Sequence, residues 1–418
     1  MLSFIITIIK LLIILGVVAT IHEFGHFLFA KLFKMGVNEF SIGFGPKIVQ
    51  KKYKETMYSL RCIPLGGYCA IEGEDGDSER EDSFANKSAI KKIIVLVAGV
   101  FFNAVLAAAI FIGIGFSGNT YNTKITNLTE DSSLAKSGIM QGDEIYSIDG
   151  KKVHLYEDLA AKKSDKKEND VIVEYIRNGK LETTTVKDAI KDIGYIGVSF
   201  VVDEKEAVVK NEIDMVASGG AANSAGLKSG DKIVKINGIE TENSTKVVNI
   251  VRENAGKEIN LLIERKGETF EKKLTPDTER YFDLGSFATE MVKPTLKTAT
   301  YSAVYNFKSI IGSYVDLFKG KVSVTEMSGI VGIGEVVSKT NNFLSFLNLL
   351  GIISLAVGVA NIIPFPPLDG GKVLLVLIET VTRKKVPVNV EAIISYIGFG
   401  LLILLTLFVT YNDIVRII

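Results

Sequence analysis

Four stretches of this chain are apolar and long enough to cross a lipid bilayer as helices: roughly residues 2–33, 93–116, 343–363 and 392–410. The hydrocarbon core demands about 20 such residues. A fifth apolar run, Leu368 to Val381, is shorter and follows Pro364, Pro366 and Pro367, which end or bend the preceding helix. Between the second and third spans the pattern changes. Residues 117 to 290 are largely polar, with β-branched runs such as Val171 to Ile176 that read as strands.

An internal repeat organises that polar stretch. "SGIMQGDEIYSIDG" (137–150) returns as "AGLKSGDKIVKING" (225–238), offset by 88 residues. In each copy a glycine-aspartate turn leads into a strand, and Asp149-Gly150 or Asn237-Gly238 supplies the positive-φ pair of a tight hairpin. The pattern resembles PDZ domains, which bind extended peptides by strand addition. Two modules are therefore expected, 117–203 and 204–278, as peptide receptors or as plain spacers. Residues 279–342 then form a linker whose segment 292–318 mixes apolar residues with Lys293, Lys297 and Lys308, either an amphipathic helix on the membrane surface or a connecting helix.

Charge sets the orientation. Lys34, Lys47, Lys51, Lys52 and Lys54 follow the first span, Lys91 and Lys92 precede the second, and Arg383, Lys384 and Lys385 lie between the last two. Basic loops stay on the cytoplasmic side, which places both termini and the repeat region outside. The N-terminal apolar run lacks a basic start and a small-residue cleavage site, so it reads as a retained helix and not a signal peptide. With 48 basic and 48 acidic residues and no basic domain, nucleic acid is not an expected partner. Cys62 and Cys69 lack the C-x-x-C spacing of redox or zinc sites and read as two small core residues.

The chemistry is concentrated in "HEFGH", residues 22–26. His22 and His26 stand one helical turn apart on one face and can share a metal, with Glu23 beside them. Ionisable groups in an apolar span are costly and by default functional, and two of the chain's three histidines sit here. Zinc held this way lowers the pKa of its water, and a neighbouring carboxylate can take that water's proton during attack on a carbonyl. Two histidines leave such a metal one protein ligand short. Between Lys339 and Glu379 the only acidic residue is Asp369, in "PPLDGG". It is the candidate third ligand, with a helix N-cap as its other reading.

"HEFGH" together with "NIIPFPPLDGG" (361–371) resembles the site-2 protease family of intramembrane zinc metalloproteases. That resemblance implies an α-helical multi-pass membrane protein of four transmembrane helices with two inserted β-rich PDZ domains. It implies Zn2+ on His22, His26 and Asp369, Glu23 as the catalytic acid/base, and Asn361 holding substrate or oxyanion. "AGVFFNAVLA" (98–107) resembles the family's G-x-x-x-N element, which adds Gly99 and Asn103 to the substrate-binding candidates, ordinary helix packing being the other reading. "FSIGFGPKI" and "YSLRCIPLGGY", within 40–68, resemble its membrane-associated β-hairpin, whose edge could receive substrate as a strand. Ile330 after Gly329 and Val100 after Gly99 stand where the family commonly has proline.

The expected layout is thus a catalytic membrane region at 1–116, the two modules, the linker, and the last two spans at 343–418. The protein would lie in the cell membrane, its active site near the cytoplasmic face and its modules outside. Single-span membrane proteins are the expected substrates, with membrane lipid and peptide ligands of the modules as further partners. The rivals are a catalytically silent membrane-anchored scaffold and a metal transporter.

Overall fold

The computed structural model describes residues 2–417 except 75, 77, 161, 204–207, 218, 321–326 and 341. Helix α1 (Leu2–Leu32) leads into strands β1 (Val37–Tyr53) and β2 (Thr56–Ile71), followed by α2 (Ala89–Gly115). Then come β3 (Thr120–Leu128), β4 (Glu144–Ile148), β5 (Val171–Arg177), β6 (Lys180–Val186), β7 (Ile190–Tyr195) and β8 (Val198–Asp203). Next are β9 (Val208–Val216), β10 (Lys232–Ile236), α3 (Ser244–Glu253), β11 (Ile259–Arg265), β12 (Glu268–Leu274), β13 (Asp277–Phe282) and β14 (Phe287–Val292). Helices α4 (Leu296–Phe318), α5 (Ile330–Ser338), α6 (Phe343–Asn361), α7 (Asp369–Thr382) and α8 (Val388–Ile417) complete the chain. Two compact units result, one built from 1–117, 302–319 and 328–411 and the other mainly from 118–301.

Among the described residues, α1, α2, α6 and α8 are the helices long and apolar enough to cross a membrane, matching the four spans expected. Their outer faces leave side chains such as Ile9, Phe101, Leu404 and Leu407 exposed, a surface suited to lipid. Inside, Ile14 and Val18 of α1 pack with Val337, Leu350 and Ile353, while Ala107 and Phe111 of α2 pack with Ala303 and Leu355. Part of the expected linker is therefore helix seated on the spans. A further cluster joins Ala30, Val37, Ile71, Val95, Leu96 and Val376, and it brings α7 and the β1–β2 hairpin to the end of α1 that carries the histidines.

The hairpin is folded over on itself. Glu39 pairs with both Met57 and Ala70, and Ser41 with both Ser59 and Tyr68, so residues 67–71 form an outer edge. Gly43 and Gly45, at φ of 84° and 78°, supply the bend that L-residues resist. Both cysteines are free, and Cys62 is exposed, correcting its assignment to the core: residues 62–65 of β2 all face outward.

The second unit contains two sheets of the same design, in the orders β14-β3-β4-β5-β6 and β8-β9-β10-β11-β12. The repeated aspartates explain the turn motif more fully than chain reversal does. Asp143 takes a two-pronged bond from Arg177 at 2.8 and 2.6 Å, and Asp231 takes the same from Arg265 at 2.6 and 2.8 Å. Each arginine also donates to a carbonyl of its turn, Gly138 or Gly226. Asp149 and Asn237 have the positive φ expected of the hairpins, 48° and 51°.

The strand pairing crosses the boundaries read from the sequence. Strand β8, expected in the first module, pairs with β9 of the second sheet, and β14, expected in the linker, returns to pair with β3 of the first. The second sheet is nested inside the first. Behind this is the same 88-residue offset, since Ile196-Gly197 recurs as Leu284-Gly285 with both glycines at positive φ.

Candidate metal centre

Helix α1 presents His22, Glu23 and His26 toward the joint between α2, α7 and the hairpin. Both histidines are buried. His26 Nδ1 lies 2.8 Å from the Val95 carbonyl, which can only accept, so Nδ1 carries the proton and Nε2 turns a lone pair inward. Asp369, the first residue of α7, aims its carboxylate at the same point. Its Oδ2 lies 2.9 Å from His22 Nε2 and 3.5 Å from His26 Nε2, and the two Nε2 atoms are 3.1 Å apart.

These three atoms fit a metal. Ligands bonded at the zinc distances for nitrogen and oxygen occupy tetrahedral corners about 3.3 Å apart, close to all three spacings. Asp369 Oδ2 is buried and receives no directed hydrogen bond despite its near neighbours, as expected of a ligand atom facing a cation. The helix-cap alternative fails, since Leu368 occupies the N-cap and Asp369 is the first residue of the helix itself. Gly370 is required there, because a Cβ on it would collide with the carbonyls of Ile362 and Ile363.

Glu23 is held from the other side. Its Oε2 accepts the Cys69 backbone N–H at 2.9 Å, so the outer edge of the hairpin fixes the carboxylate. Burial first, then the Glu23 and Glu74 charges, push the Cys69 thiol up, which keeps it protonated and a poor nucleophile. Asn361 donates to the Val357 carbonyl at 3.1 Å and lines an apolar cavity of about 270 Å³ with Asp369, Leu96, Val100 and Leu374. Gly99 and Asn103, two of the substrate-binding candidates, lie buried against the histidine rings. A Cβ on Gly99 would stand 2.5 Å from His26 Nε2 and 2.7 Å from His22 Cε1, so only glycine lets α2 approach the imidazoles this closely.

Several contributors carry no signal in the sequence, because the backbone groups of Val95 and Cys69 are the same in every residue type. Lys372, three residues after Asp369, bonds Glu74 at 2.9 Å and ties α7 to the segment following β2. Its place in "LDGGK" was the available hint.

A two-histidine, one-carboxylate cluster with an anchored carboxylate beside it, set among apolar helices, defines a multi-pass membrane metallohydrolase. The chain belongs to peptidase family M50, whose profile matches residues 10–405. A Fusobacterium nucleatum protein provisionally named a zinc metalloprotease is 31% identical over 418 residues, covering 96% of each chain. Its Clostridium perfringens counterpart, provisionally named in the same way, is 29% identical over 94% of each chain. The zinc metalloprotease RasP of Geobacillus kaustophilus is 27% identical over 98% of this chain and 97% of its own.

Proposed function

We propose that this protein is a zinc endopeptidase that hydrolyses peptide bonds of single-span membrane proteins inside or at the edge of the bilayer, and that His22, His26 and Asp369 hold the zinc. The observation that carries this reading is the meeting of those three side chains within 3.5 Å of one another among helices long enough to cross a membrane. Zinc, when bound, supplies Lewis acidity and a water of lowered pKa. Glu23 accepts a proton from the attacking water and returns it to the leaving amine nitrogen. Asn361, at the mouth shared with Asp369, offers its amide to the substrate carbonyl.

A helical substrate hides its carbonyls in backbone bonds, so it must open locally before attack. The edge at 67–71 offers an extended partner beside Glu23. In the second unit, β8 and α3 flank a cavity of about 300 Å³ lined by Gly197, Val198, Phe200, Val247 and Val251, which supports the PDZ reading and an apolar peptide end as its ligand. The lysine distribution supports an extracytoplasmic position for these sheets and an active site near the cytoplasmic face. The membrane-bound regulators and remnant signal peptides cut by site-2 proteases are the corresponding substrate class.

The test is cleavage of a tagged single-span peptide by purified full-length protein in detergent, before and after chelation. Cleavage that stops on chelation and returns with added zinc supports the reading. Cleavage that survives complete removal of metal overturns it.

A further inference from the structure

Two buried histidines share this centre, yet their second ring nitrogens are treated differently. His26 Nδ1 faces a backbone carbonyl, which admits one tautomer. His22 Nδ1 faces the side-chain amide of Asn103 at 3.4 Å, which offers a donor on one side and an acceptor on the other. Asn103 is fully buried, with 0% exposure. Its Nδ2 lies toward His22, while its Oδ1 has no hydrogen-bond partner among the described residues. The Ser354 hydroxyl donates to the Asn103 backbone carbonyl at 2.9 Å and anchors this turn of α2 to α6.

We propose that the Asn103 amide is a positioning group that selects the tautomer of His22, its Oδ1 accepting the Nδ1 proton when zinc is held. This rests on the zinc reading above. To give its Nε2 lone pair to a metal, a neutral imidazole must carry its proton on Nδ1. Two donors would then meet across the contact unless the amide turns. Because the oxygen and nitrogen of an amide are nearly the same size, half a rotation exchanges them without displacing neighbours. Fully buried, Asn103 acts through His22 and does not touch substrate.

The experiment compares wild type, Asn103→Asp and Asn103→Leu as purified full-length protein. It reads zinc affinity by chelator competition and the 15N shifts of the His22 ring with and without zinc. Asp keeps an acceptor and Leu keeps neither group. The expected result is zinc binding about 10–100-fold weaker in Asn103→Leu and within about threefold of wild type in Asn103→Asp, with the His22 proton on Nδ1 in the zinc-loaded protein. Equal affinity in wild type and Asn103→Leu overturns the proposal while leaving the zinc reading intact. So does an Asn103→Asp loss as large as that of a folded Asn103→Leu. Should the Leu variant fail to fold, the ring shifts of wild type decide: a His22 proton on Nε2 in the zinc-loaded protein overturns the proposal. A wild type that binds no zinc removes both readings.

Discussion

Cys69 donates its backbone N–H to Glu23 Oε2 at 2.9 Å, which joins the outer edge of a hairpin to the carboxylate of the histidine helix. The strand that could receive a substrate thus also orients the group proposed to move its protons. Anything that loosens residues 67–71 should reach Glu23 directly.

Glu39 is the place to loosen it. Arg61 Nη2 donates to Glu39 at 2.8 Å and to the Tyr68 hydroxyl at 2.6 Å. Burial pulls the Glu39 carboxyl up, but hydrogen bonds from Ser59, Arg61 and Tyr68 outweigh it and hold the group down at about 2, from an ordinary 4.5. A carboxyl depressed by folding contributes stability above its ordinary pKa, and that contribution is lost as pH falls through the folded value. The protection of the Tyr68 and Cys69 amides, measured relative to their intrinsic exchange rates, should hold above pH 4.5 and fall as pH drops toward 2. Glu39→Gln should remove that step; an unchanged profile in the variant would contradict the assignment.

Gly99→Ala should damage the metal centre without adding or removing any polar group. The new Cβ meets both imidazoles at 2.5–2.7 Å, so the rings or α2 must move. Zinc affinity, measured by chelator competition, should fall about 10–100-fold, the usual cost of misplacing a ligand's support. Wild-type affinity would show that α2 can retreat freely.

The duplicated Arg–Asp pairs should be interchangeable in cost. Removing Arg177 or Arg265 leaves a buried aspartate with only a backbone donor, Met140 N–H or Lys228 N–H, and no opposite charge, since Asp143 and Asp231 are 2% and 0% exposed. Each Arg→Ala change should destabilise its own sheet, read by hydrogen exchange in the full-length protein. Loss confined to the sheet carrying the mutation is expected, and no loss would mean the aspartate finds another partner.

The four spans, the metal-ligand spacing of "HEFGH" and the repeat were legible because each rests on local periodicity or composition. Asp369 was legible by scarcity, as the only acid in a long apolar region. What escaped depends on which segments meet in space. Nothing in Val95 or Cys69 marks their backbone groups as partners of His26 and Glu23. Asn103 and Gly99 were found as residues, but a glycine and an amide four apart look the same whether they face substrate or a histidine ring, and only the fold sets them beside His22 and His26. The nesting of the sheets was hidden because β8 and β14 are short strands without the Gly-Asp motif, and β14 must return across the whole second sheet to pair with β3.

The most direct test of the account is to compare wild type with Glu23→Gln, measuring bound zinc and cleavage of a tagged single-span peptide on the same preparations. The substitution keeps the side chain's size and leaves His22, His26 and Asp369 untouched. The account predicts equal zinc and cleavage slowed by about 10²–10⁴-fold, the usual share of a general acid/base. Equal cleavage by both proteins would contradict Glu23 as the proton carrier, and no cleavage with no bound zinc in either would leave a membrane-anchored scaffold in place of an enzyme.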